Sequence, residues 1–520
     1  MFQKLLILYG LLCLAANAGT YLIQVDLGPE RLDPLIARNI GVSAELEYSA
    51  LAIISEDQLD DLTSISYQIL DEEPIEGDYY LIRTIANTID LSLFGTVLYS
   101  ENQDHVIKVI PLMFEDLIRQ PVHVKQLFFR PIRISSTWES PTVTSDPTIQ
   151  DIVNLISPDT ILSFVQRLQD FKSRYSTYDS CFAAGNWIRD KFLGYGMDSV
   201  FFQNHTGGHA PNVVAVKRGV LYPDSIYTVV CGHYDAITYY GHEIAPGADD
   251  NASGTACVIE AARVTKDYQF EFSIRYIAFS GEEFGLYGSE YYAYHAANAG
   301  DSIRGVFNGD MIGYVNALPE SVEVIGKTSN PSCDWLADFL IAAADTYTTV
   351  LTRKRLTNSW IPSDNQSFLD YGYPALLEIE DSPVTNPHYH DPSDTIGAGY
   401  NNNDFCTEVS KAQIAAISIM AVPYVTGIQE QVIDVAPLVL SITPSHSGTR
   451  FIINTGSSSG AKPLILIHDI SGRTVARYTD TETLIWNGTN TSGVKLPAGV
   501  YFVRAQVDDQ IAQKKLILVR

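Results

Sequence analysis

Between Ile226 and Ile379 the chain alternates short β-branched runs with runs of helical period, and this alternation most constrains its fold. The runs Ile226–Cys231, Ser273–Phe279, Ile303–Phe307 and Pro374–Ile379 read as buried strands. Thr255–Val264, Tyr287–Ala297 and Cys333–Ala344 read as helices between them. Alternating strands and helices predict an α/β domain with a mixed, largely parallel central sheet flanked by helices. In such sheets ligands collect beyond the carboxyl ends of parallel strands. Potential metal ligands fall there: His233 after the first strand, Glu282 and Glu283 after the second, Asp310 after the third. Asp249 and Asp250 precede the first helix, and His388 and His390 follow the last strand.

Imidazole nitrogen and carboxylate oxygen are both zinc ligands. Two imidazoles and three carboxylates suffice for two ions that share one carboxylate, with positions left for water and substrate. Each residue alone carries little weight, since a loop carboxylate is usually a solvated charge. The joint pattern on consecutive strand ends carries the argument and points to a hydrolase. Chemistry alone leaves open which aspartate of the first pair, which histidine of the second and which glutamate bind metal.

The stretches HYD, PGADDNASGT, SGEEFGLYGS, NGDMIGY and HYHDPSDT resemble the zinc-dependent exopeptidase family that contains aminopeptidase Y, glutamate carboxypeptidase II and glutaminyl cyclase. The resemblance covers about residues 150–425. It implies that His233 and Asp310 bind one zinc, Glu283 and His390 the other, and that Asp250 bridges them. It makes Glu282 the general base, gives Asp249 a role in holding its turn, and has Asp235 accept the second N–H of His233. Asp394 would orient the loop around His390. The implied activity is that of an aminopeptidase acting on peptides or proteins, with a dizinc carboxypeptidase, a glutaminyl cyclase-like enzyme or a catalytically inactive surface-binding protein as alternatives. One departure stands out: where the family commonly has Ser-Asp-His, this chain has Ser363-Asp364-Asn365.

The chain of 520 residues is too long for one core. Residues 1–18 read as a signal peptide: Lys4, an apolar run to Ala16, then a small-x-small site ahead of Gly19. This predicts a secreted or cell-surface protein. Residues 19–134 read as an α+β region, a possible propeptide, in which strand, strand and acidic helix start occur twice. Residues 135–150, rich in Ser, Thr and Pro, read as a linker. The peptidase-like domain spans 151–428 and opens with a helix capped by Ser157 and Pro158. A second connector covers 429–440.

Residues 441–520 read as a β-sandwich of short strands and Gly turns. The run HDISGRTVARY, Val-Tyr-Phe-Val-Arg and the closing KKLILVR are similar to terminal sorting domains of type IX secretion, although Thr443-Pro444-Ser445 replaces the usual Pro-Asn-Pro. That resemblance implies secretion machinery as a partner. A net charge of −27 argues against nucleic acid. Five cysteines remain after the leader, without the spacing of a disulfide framework or a structural zinc site.

Overall fold

The computed structural model describes residues 19–85, 89–132, 141–381, 384–424, 439–444, 451–456, 463–479, 481, 483–507 and 510–519. The leader-like residues 1–18 lie outside these. The chain divides into two compact units, Met1–Tyr424 and Val425–Arg520. Among the described residues no helix is long and apolar enough to cross a membrane.

The first unit is built on an eight-stranded sheet. Its strands lie in the order Leu351–Thr357, Ser321–Lys327, Ala375–Ile379, Ser302–Gly309, Ile226–His233, Ser273–Phe279, Asn212–Lys217, Ser199–Gln203. The four strands from Ala375–Ile379 to Ser273–Phe279 are mutually parallel. Antiparallel pairing enters beyond them on both sides. These four are the strands read from sequence, buried nearly throughout as their apolar runs require. Helices Ala252–Thr265 and Asn403–Ala421 are buried nearly all round, which leaves little amphipathic signal, and the second was not expected from its sequence.

The first helix of the peptidase-like domain is Pro147–Asn154, which begins inside the expected linker. The Asp146 carboxylate accepts from the N–H groups of Thr148 (2.7 Å) and Ile149 (3.3 Å), and Pro147 occupies the first turn. A Ser-Asp-Pro stretch is a helix start as well as a loop signature, and here the apolar Ile149, Ile152 and Val153 decide it by burying. The next helix, Pro158–Gln169, has the expected Ser157 cap, which accepts from the Thr160 N–H.

The N-terminal region folds as two four-stranded antiparallel sheets. The first orders Val42–Glu45, Ser49–Ser55, Thr20–Asp26, Tyr67–Glu72. The second orders Gly95–Glu101, Asp104–Val109, Tyr79–Thr84, Val122–Gln126. Numbered along the chain, both run second, third, first, fourth, so the repeat of apolar runs corresponds to a repeat of topology.

In the second unit a three-stranded sheet (Val439–Pro444, Phe451–Gly456, Thr483–Trp486) and a four-stranded sheet (Thr474–Thr479, Leu464–Asp469, Gly499–Val507, Gln510–Leu518) share one core. Phe451, Ile453, Ile465, Ile467, Trp486, Tyr501 and Val503 fill it. Most of the second connector, residues 429–438, lies outside the described residues. Five described cysteines, Cys181, Cys231, Cys257, Cys333 and Cys406, are buried thiols.

Candidate metal centre

Each of the four parallel strands delivers a site residue at its carboxyl end. His233 is the last residue of its strand, Asp310 follows Gly309, Glu282 and Glu283 follow Phe279, and the loop after Ile379 leads to His390. Asp250 comes from the turn ahead of helix Ala252–Thr265. Adjacent parallel strands in register place these residues on one rim although the chain separates His233 from His390 by more than 150 positions.

Two groups form around Asp250. Its Oδ1 lies 3.3 Å from His233 Nε2, which is 3.4 Å from Asp310 Oδ1. Its Oδ2 lies 3.1 Å from His390 Nε2, which is 2.9 Å from Glu283 Oε2. The two oxygens of Asp250 thus face two different imidazoles. Ligand atoms at zinc's usual bond lengths in a tetrahedron sit roughly 3.4 Å apart, and these separations match that edge. Among the described residues, the buried His390 Nε2 finds no hydrogen-bond partner. Atoms that converge closely without bonding one another are arranged for a cation between them. Glu282 stands at the margin, its Oε2 3.9 Å from His233 Nε2. His233, Glu282 and Asp310 also converge as one group, and His233, Asp250 and Glu283 as another.

The electrostatics agree with this fit. Burial pushes Glu282 well above the ordinary carboxylate range against the pull of His233, and lifts Glu283 to about 7. His390 rises to about 10 because Glu283 and Asp250 outweigh its burial. His233 is raised in the same way by Glu282 and Asp310. Protons are thus held on a set of acids and imidazoles that bound metal would relieve of them.

The surrounding motif residues hold these ligands. Asn251 Nδ2 donates to the Gly309 carbonyl (2.9 Å), and the Thr255 hydroxyl donates to the His233 carbonyl (2.6 Å). The Asp250 turn is therefore pinned to both neighbouring strand ends. Gly254 is required at this crossing, because a Cβ there would lie 2.0 Å from the Gly309 oxygen. Asp249 accepts from the Gly313 N–H (2.8 Å) and the Asn386 amide (2.9 Å), a turn-holding role as expected from the motif. His388 turns aside to Ser393 (2.7 Å), and His390 faces the other ligands.

One expected support acts differently from its sequence reading. The Asp235 carbonyl, not its carboxylate, is the nearer acceptor for His233 Nδ1, at 3.1 Å against 3.6 Å. Its carboxylate accepts instead from the Glu282 N–H at 3.4 Å. Asp394 accepts from the N–H groups of Asp249 and Asp250, so it ties the His390 loop to the Asp250 turn. These donors are brought near by the fold and not by the chain: Glu282 lies 47 positions from Asp235, and Asp249 and Asp250 lie 145 and 144 positions from Asp394.

Two further residues were not singled out as supports in the sequence. The Ser363 hydroxyl donates to Asp310 Oδ2 (2.5 Å) and accepts from the Asn308 amide (2.7 Å). Its signal in the sequence is its place in the Ser363-Asp364-Asn365 stretch. Arg174 is wholly buried and donates to the carbonyls of Tyr234 (2.7 Å), Leu168 (3.1 Å), Gly247 (2.7 Å) and Pro246. It braces the turn ahead of Asp250, and an isolated arginine carries no sequence signal for that task.

The model of peptidase family M28 matches residues 212–412, which contain all five proposed ligands and Glu282. A probable zinc metalloprotease of Pyrenophora tritici-repentis is 28% identical over 336 residues, 53% of this chain and 69% of that protein. Aminopeptidase YwaD of Bacillus subtilis is 29% identical over 212 residues, 38% of this chain and 41% of its own. Among solved structures, the LapA aminopeptidase of Legionella pneumophila is similar with a TM-score of 0.55 at 22% identity, covering 67% of this chain and 99% of LapA. At that identity the likeness speaks to the fold. Residues 212–412 thus carry the match to peptidase family M28, and the chain is a zinc-dependent peptidase.

Proposed function

We propose that this peptidase is a secreted aminopeptidase that uses two zinc ions, with His233 and Asp310 on one, Glu283 and His390 on the other, and Asp250 shared. The observation that carries this reading is the division of Asp250's two oxygens between the two imidazoles. When bound, the ions would polarise the scissile carbonyl and lower the pKa of the attacking water. Glu282 lines the same cavity and is the one carboxylate of the group left outside the five-ligand set. It takes the proton from the attacking water and returns it to the leaving amine. Asp235 holds its backbone N–H, and so places it, at 3.4 Å.

An amine is the terminus this cavity suits. The metal end of the cavity, lined by Asp250, Glu282, Glu283 and Asp310, offers carboxylate oxygens that accept hydrogen bonds from a free terminal amine. The lining arginines are already held: Arg83 by both oxygens of Asp104 (2.7 and 2.9 Å), and Arg355 by Glu323 (3.4 Å). A substrate carboxylate, as a carboxypeptidase needs, would compete with those acids. Export is supported by the leader-like residues 1–18, and engagement of secretion machinery by the C-terminal resemblance. Full-length protein accumulating in the periplasm of the native host would count against that engagement.

The test combines metal analysis with a peptide carrying a free or an acetylated N-terminus. Two zincs per chain and cleavage of the free peptide alone are expected. Glu282→Gln should retain its zinc and lose about 10²–10⁴-fold in kcat. Normal turnover in that variant would remove Glu282 from the mechanism.

A further inference from the structure

The N-terminal region and the metal centre share one cavity of about 590 Å³. All five ligands line it from the peptidase side. Arg83, Thr84, Gln103, Ile118, His123 and Val124 line it from the N-terminal side. His123 Nδ1 stands 3.4 Å from the hydroxyl of Tyr389, whose ring stacks on His390. The volume lies within the roughly 300–1,000 Å³ of small-ligand sites. A segment that plugged the centre would fill this space; this one walls it and leaves it open.

The wall is also fixed in place. Lys125 and Asp370 form a largely buried ion pair at 2.6 Å, and Arg130 meets Glu290 at 3.1 Å. Glu45 accepts from the Ser329 hydroxyl at 2.6 Å and lies 3.4 Å from Lys327. Asp104 gathers Arg83 from its own sheet, and Ser359 (2.9 Å) and the Trp360 indole (3.0 Å) from the peptidase. Trp360 is packed in one core with Leu22, Leu46, Tyr79, Leu81 and Val106. Removing residues 19–132 would expose that indole and leave Asp370, Glu290 and Lys327 without these partners. Uncompensated burial of charge is costly, so the contacts favour a permanent part of the enzyme over a disposable one.

We propose that the N-terminal region is a constitutive wall of the substrate cavity, and that His123 and Val124 help determine which substrate side chain and what length of peptide it accepts. The proposal rests on the aminopeptidase reading. It is tested on the full chain with a series of free-amine dipeptides and longer peptides whose first residue runs from alanine to phenylalanine. His123→Ala and Val124→Ala should shift the phenylalanine-to-alanine ratio of kcat/KM by about tenfold towards the larger residue. Zinc content and unfolding midpoint, measured alongside, separate this from loss of fold. The intact mass of the active fraction should include residues 19–132. An unchanged ratio in folded variants of both residues would overturn the proposal, as would full turnover confined to a species lacking the region. If the parent chain cleaves blocked and free peptides alike, the aminopeptidase reading falls first and takes this inference with it.

Discussion

Ser363 shows how much a single hydroxyl decides at this site. It bonds Asp310 Oδ2 at 2.5 Å and is itself held by Asn308. Removing such a support typically weakens metal affinity by about 10–100-fold, so Ser363→Ala should show that loss in a competitive zinc titration while keeping its secondary structure. His205 gives a pH dependence. Its Nε2 bonds the Ala210 carbonyl, and burial with the neighbouring His209 lowers it to about 4. The unfolded imidazole titrates near 6.5. Between these values the unfolded chain binds the extra proton, so stability falls as pH drops from about 6.5 to about 4. The contribution is at most about 1.4 kcal/mol per pH unit. His205→Gln should flatten that part of a denaturant-midpoint against pH curve.

At the scale of elements, the site depends on how closely the helix Ala252–Thr265 starts against two strand ends. Asn251, Gly254 and Thr255 make that approach, and Gly254 leaves no room for a methyl group. Gly254→Ala should destabilise by about 1–3 kcal/mol or more, as overpacking does, and should lower zinc content because Asp250 moves with the turn. Denaturant unfolding and metal analysis of the purified variant check both. The four parallel strands were legible because buried strands in an α/β sheet read as apolar runs. The edge strand Ser199–Gln203 and the helix Asn403–Ala421 were not, since one is only partly buried and the other is buried on nearly every face. The helix start at Pro147 was hidden in a linker-like composition until Ile149, Ile152 and Val153 were seen to bury.

For the whole molecule, the joint between the N-terminal region and the peptidase is the structural fact of most consequence. Lys125→Ala removes the ion-pair partner of the partly buried Asp370, which keeps the Gln366 amide at 2.7 Å, and should cost about 1–3 kcal/mol. The check is the midpoint of the unfolding transition that includes both regions. The amino-acid sequence by itself determined the strand ends that carry the candidate ligands and the repeat in the N-terminal region, because each is written in local pattern and in short motifs. Only the tertiary structure decided that Asp250 faces two imidazoles with separate oxygens, that Ser363 and Arg174 brace the centre, and that His123 reaches the cavity across the joint. Those are contacts between residues far apart in the chain, and they exist only once packing has fixed the distances between surfaces that local pattern leaves independent.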